Sequence, residues 1–161
     1  MNPNAQHFIS LMSNSFKSRL FMLTKLPAAY FSGVKVKQLT SEKAIVIVPF
    51  KWFSQNPFRS TYFACLAMAA EMSTGLLAMM QIYKRNPAVS MLVVKLEANY
   101  FKKATGITYF TCEAGTDFKN IVDACIEDGE GRSYTAKSVG RNKDDEIVAE
   151  FFITWSFKAK K

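Results

Sequence analysis

The sequence predicts an α+β fold in which one largely antiparallel sheet wraps a long buried helix. Three observations carry this expectation. Residues 62–83 are apolar on nearly every side and rich in Ala, Leu and Met, good helix formers with no competing β-branched run. The segments on either side alternate as strands do and are joined by short polar or glycine-bearing turns, which makes most neighbouring strands antiparallel. A chain of 161 residues with 49% hydrophobic content is the size of one domain with a substantial core, and it shows no internal repeat, low-complexity stretch or linker.

Taken in order, Phe8, Leu11, Met12, Phe16, Leu20, Leu23 and Leu26 recur at three- and four-residue steps, which predicts one amphipathic helix stopped by Pro27 and packed on its own domain. Residues 1–32 thus form an N-terminal helical extension. After Gly33, residues 34–39 and 43–50 read as a hairpin turned at Thr40-Ser41-Glu42, the first strand with a wet face and the second nearly buried. An unusually aromatic loop with Lys51, Trp52, Phe53 and Asn56 leads to the long helix, for which Ser60 or Thr61 is the expected N-cap. That helix is long enough to span a bilayer, but Glu71 near its middle and the absence of flanking topology signals argue for a core helix. Strands follow at 89–101 and 107–113. A short helix then presents Phe118, Ile121, Val122, Cys125 and Ile126 on one face, capped by Thr116 or Asp117 and ended by Gly129. Strands at 132–139 and 146–157 close the chain, the last with Ile147, Ala149, Phe151, Ile153, Trp155 and Phe157 on a common face.

Composition narrows the chemistry. Cys65, Cys112 and Cys125 have no paired spacing and His7 is the sole histidine, so neither a zinc site, a disulfide framework nor a histidine-based triad is expected. Buried thiols fit a reducing cytoplasm. Polar residues break the N-terminal apolar stretch and no basic residue precedes it, which argues against a signal peptide. The formal charge of +8 points to a negatively charged partner without naming it.

Asn56, Ala70-Glu71 and Gly75, together with the strand, basic turn and glycine of residues 99–106, resemble the hotdog-fold thioesterases, and in particular their thioesterase-like branch of unknown function. The resemblance covers roughly residues 33–157. It implies a homodimer acting on acyl thioesters of coenzyme A or an acyl carrier protein at the dimer interface, without metal or cofactor. By the same resemblance Glu71 is the general base or nucleophile and Asn56 positions water or the thioester. The backbone of Arg59, Ser60, Thr61 and Tyr62 supplies the oxyanion donors, since a helix start offers free N–H groups and positive potential. Lys102 and Lys103 would lie near the phosphates, and Met68, Met72 and Met79 would line the acyl pocket.

The chain departs from the family pattern at Pro57, where histidine is usual, at Arg59, where glycine is usual, and at Tyr62, where some members carry a second histidine. Proline has no N–H and Arg59 adds bulk, so weak hydrolysis is expected. A binding module of the same fold, holding an acyl group without turnover, is the alternative. Nucleic-acid or anionic-membrane binding through Lys35, Lys37, Lys102, Lys103 and the 158–161 tail ranks below both, because basic tails are usually solvated.

Overall fold

The computed structural model describes residues 2–160. Its helices are α1 (Ala5–Ser13), α2 (Ser15–Lys25), α3 (Pro27–Ser32), α4 (Phe63–Ile82) and α5 (Gly115–Asp128). Its strands are β1 (Lys35–Leu39), β2 (Ala44–Val48), β3 (Val89–Tyr100), β4 (Thr108–Cys112), β5 (Arg132–Arg141) and β6 (Ile147–Ala159). The strands form one six-stranded sheet in the order β1-β2-β4-β5-β6-β3, and every pairing is antiparallel. Helix α4 packs on this sheet, and this is the hotdog arrangement the sequence predicts.

Helix α4 is the hub because it has no polar face to show solvent. Leu66, Ala69, Ala70, Leu77, Ala78 and Met80 are all buried, and a helix apolar on every side is stable only when structure surrounds it. The sheet supplies Val46, Val48, Phe110, Phe151, Ile153 and Phe157 from alternate positions. A membrane span is therefore not its role here. Its N-cap is Tyr62, which gives no side-chain cap, and not Ser60 or Thr61. Thr61 instead spends both its N–H and its hydroxyl on the carbonyl of Ala104, at 2.8 and 3.1 Å, tying the helix entry to the segment after β3.

The expected N-terminal helix is three helices. Asn14 is extended (ψ 117°), and its side chain accepts from the Lys17 N–H, so it ends α1 and caps α2. Pro27 stops α2 as expected, with Leu26 before it held outside the helical region (φ −135°, ψ 58°), and it also opens α3, where its missing N–H costs nothing. The break divides the apolar stripe. Phe8 and Met12 are buried, whereas Phe16, Leu20, Leu23 and Leu26 face outward and α2 buries only Ser18 and Met22.

Helix α5 starts at Gly115, before the expected caps. Its first turn is closed from elsewhere in the chain. The Glu42 carboxylate accepts from the N–H and hydroxyl of Thr116, at 3.1 and 2.6 Å, and the Gly115 N–H donates to the Glu42 carbonyl. Only glycine fits here, since a Cβ at Gly115 would lie 2.0 Å from the Ser41 carbonyl oxygen.

Candidate functional site

The site residues expected from sequence fall into two groups along α4. The first surrounds its N-terminus. A groove of about 570 Å3 is lined by Asn56, Ser60, Thr61 and Tyr62 on one side and by Tyr100 to Ala104, including Lys102 and Lys103, on the other. Arg59 lies outside this groove, exposed and held at φ 58°.

Asn56 organises the loop. Its Oδ1 accepts from the N–H of Phe58 (3.0 Å) and from both the N–H and hydroxyl of Ser60 (3.2 Å each), which folds residues 56–60 into a tight turn. The main-chain donors expected to bind an oxyanion are also engaged. Arg59 donates to the Asn56 carbonyl, Ser60 to the Asn56 side chain, Thr61 to Ala104 and Tyr62 to the Ser54 carbonyl. The first N–H groups without an acceptor among the described residues are those of Phe63 and Ala64, at the start of α4. The helix starts at Phe63, one residue after the expected start, and its free N–H groups therefore fall just past the expected 59–62 stretch. Lys102 forms an ion pair with Glu146, which holds the Glu146 carboxyl below its usual range, and Lys103 reaches the Phe58 carbonyl at 3.4 Å.

The second group surrounds Glu71. It is half-buried on the third turn of α4, and burial raises its pKa above the ordinary carboxylate value. Among the described residues no side chain bonds to its carboxylate. Thr74, the expected partner, instead donates to the Glu71 main-chain carbonyl (2.9 Å) and accepts from Trp155 Nε1 (2.9 Å). Two adjoining cavities meet at Glu71, of about 260 and 180 Å3, both lined by Lys25, Leu26 and Met72. Met68 lines the first and Met79 the second, so the three methionines expected in an acyl pocket do converge on this carboxylate. Gly75 leaves the space beside it open, since a Cβ there would stand 3.2 Å from the Trp155 ring and 3.5 Å from Glu71 Oε1.

Ala64 and Glu71 are seven residues apart, two helical turns, so they share one face of α4 with their backbone positions about 10 Å apart along the axis. One carbonyl cannot touch both, because an oxyanion donor must come within about 3 Å and a base must reach through one water at most. The cysteines and His7 line neither the groove nor the two cavities. Cys65, Cys112 and Cys125 are buried, burial pushing the Cys112 thiol up to about 11, and His7 stacks on Tyr83.

Several solved structures share this fold at low sequence identity. A Chlorobaculum tepidum protein of unknown function superposes with a TM-score of 0.77 at 17% identity, over 94% of this chain and 99% of that one. A Pseudomonas aeruginosa protein described as a probable thioesterase gives 0.72 at 16% identity, over 99% of both chains. A Haemophilus influenzae thioesterase gives 0.64 at 10% identity, over 87% of this chain and 88% of that one. No curated protein matches the sequence. The domain of unknown function DUF4442 matches residues 17–157, nearly the whole of the sheet and helices just described. The chain therefore belongs to the DUF4442 family, which is defined by a domain of unknown function.

Proposed function

We propose that the protein hydrolyses acyl thioesters of coenzyme A at a site completed by a second copy of the chain, with Glu71 as general base. The observation that carries this reading is the unpaired, half-buried Glu71 carboxylate at the junction of two apolar cavities beside Met68, Met72 and Met79. A carboxylate left without a partner among apolar groups is costly to fold and is commonest where it does chemistry. A partner that brings its own Phe63 and Ala64 N–H groups toward Glu71, past the wall that Leu26 to Ala29 form over this cavity, would close the gap that one chain leaves open.

In the reaction, Glu71 takes a proton from water as the oxygen attacks the thioester carbonyl. The helix-start N–H groups hold the negative charge of the tetrahedral intermediate. The C–S bond then breaks, the acyl group leaves as carboxylic acid and the proton passes from Glu71 to the thiolate. Lys103, whose ammonium contacts only a main-chain carbonyl, is better placed to meet the coenzyme phosphates than Lys102, whose charge is offset by Glu146. Lys103→Ala should weaken coenzyme A binding several-fold at low salt and leave it unchanged at high salt.

A specific observation favours the second reading, a module that binds acyl-CoA without turning it over. Asn56 has spent its side-chain oxygen on the loop and has none left to position water. Turnover of an acyl-CoA series, measured beside calorimetric binding of a non-hydrolysable thioether analogue, tests both. Glu71→Gln should reduce hydrolysis by about a hundredfold or more while the analogue still binds. Binding without turnover by the wild-type protein would establish the module instead, and neither binding nor turnover would overturn both.

A further inference from the structure

The face formed by α2, α3 and the turn Trp52–Ser54 is apolar, basic and unpartnered. Phe16 is 77% exposed and Trp52 80%, with Leu20, Leu23, Phe31 and Phe53 each exposed by 42% or more. Contacts join them into one surface. Phe16, Arg19, Leu20 and Leu23 border a cleft with Tyr30; Tyr30 meets Phe31 edge-on at 5.3 Å, Phe31 meets Phe53 at 6.0 Å and Phe53 meets Trp52 at 6.1 Å. The Arg19 guanidinium lies over the Tyr30 ring, 4.6 Å from its centroid. Isolated exposed apolar residues are ordinary, but a contiguous aromatic surface marks an interaction site.

Its charge selects the occupant. The first 70 residues hold eight of the chain's lysines and arginines and a single acidic residue, a net of +7 out of +8 overall. That acidic residue, Glu42, is turned away to cap α5. The elements that form the aromatic surface, counting the residue before the turn, carry Lys17, Arg19, Lys25 and Lys51 and no carboxylate of their own. A second copy docked here about a two-fold axis would set like charges against each other, since such an interface is self-complementary. A helix with Phe and Leu on one side and basic residues beside it, next to a protruding tryptophan, instead has the composition that settles into the headgroup boundary of a bilayer.

We propose that this face docks the protein on membranes containing anionic phospholipid, with Phe16, Leu20, Leu23, Phe31 and Trp52 entering the interface and Lys17 and Arg19 meeting the headgroups. Because α3 and the Leu26 before it also wall the cavity holding Glu71, through Leu26 to Ala29, a docked molecule would hold that cavity close to the lipid.

Co-sedimentation of the full-length protein with phosphatidylcholine vesicles, with and without phosphatidylglycerol, tests this. Binding should need the anionic lipid and fall with salt. Trp52 fluorescence should shift to the blue on binding, because the other tryptophan, Trp155, is already buried. The triple variant Phe16→Ser, Leu20→Ser, Trp52→Ser should lose at least about tenfold in vesicle affinity, each residue being a large apolar group removed from contact. Circular dichroism and the melting transition of the variant check that the loss is not unfolding. Lys17→Glu, a surface change, should weaken binding at low salt only. No binding to anionic vesicles would overturn the proposal. So would binding to which the triple variant is indifferent, a fall in molar mass by light scattering in the triple variant, or saturable binding to an acidic protein or RNA without binding to vesicles.

Discussion

Glu71 concentrates the residue-scale physics. Its carboxyl is raised by burial, so the folded state holds this proton to higher pH than the unfolded chain does, and the stability this gives is full below the unfolded value and is lost as pH rises toward the folded one. Glu71→Gln should therefore raise the melting temperature at neutral pH, with the gain shrinking as pH falls from the raised folded value toward the ordinary carboxylate value and vanishing below it. Melting curves of both proteins across that range check it, and a gap that does not change with pH would contradict the raised value. Hydrolysis should follow the ionised fraction of the same group, with an acid limb above the usual carboxylate pKa of about 4.3. Asn56 makes the complementary point. Sequence identifies it as a candidate, and the three bonds to its Oδ1 explain equally well why a turn needs it.

Elements here are bounded by groups distant in sequence as often as by their own. Helix α5 is closed at one end by Glu42 and at the other by Gly129 in the left-handed conformation. Gly115→Ala would drive a methyl group into the Ser41–Glu42 backbone and should cost about 3 kcal/mol or more, read as a lower melting temperature. Arg85 holds the other flank of α5 through Asp123, which Lys119 also pairs with from within the helix. Burial alone would raise that carboxyl, but their hydrogen bonds outweigh it and lower it. The stabilisation is present above the unfolded pKa and is lost as pH falls through the folded one. Gly129 was legible from sequence, whereas the Glu42 cap was not, because nothing in residues 40–43 reveals that α5 will come to rest there.

At the scale of the molecule, the sheet has two edges built differently. Strand β1 is five residues long, carries Lys35 and Lys37 and lies against α1. Strand β3 is twelve residues long and exposes Leu92, Val94 and Leu96, with only β6 as a neighbour. Short charged edges resist pairing and long apolar ones invite it, so the second copy required by the proposed site should add at β3. Light scattering should then give a dimer, and Leu92→Lys with Leu96→Lys should convert it to a monomer and abolish any thioester turnover. A monomeric wild-type protein would leave the two halves of the site unjoined.

The sequence alone carries the long apolar helix, the six strands and the face that β6 buries. These follow from periodicity and composition, and a buried helix needs a sheet around it whatever the details. It also singled out Glu71 and the three methionines, because a carboxylate in an apolar helix stands out in any sequence. The tertiary structure sets where a helix begins when the closing groups come from elsewhere in the chain, as at Gly115 with Glu42 and at the α4 entry that Thr61 ties to Ala104. It decided which backbone donors remain free, and which half of the N-terminal stripe is buried. Those outcomes depend on partners brought together across the chain, such as Thr61 with Ala104 or Trp155 with Thr74, and local pattern holds no record of such meetings.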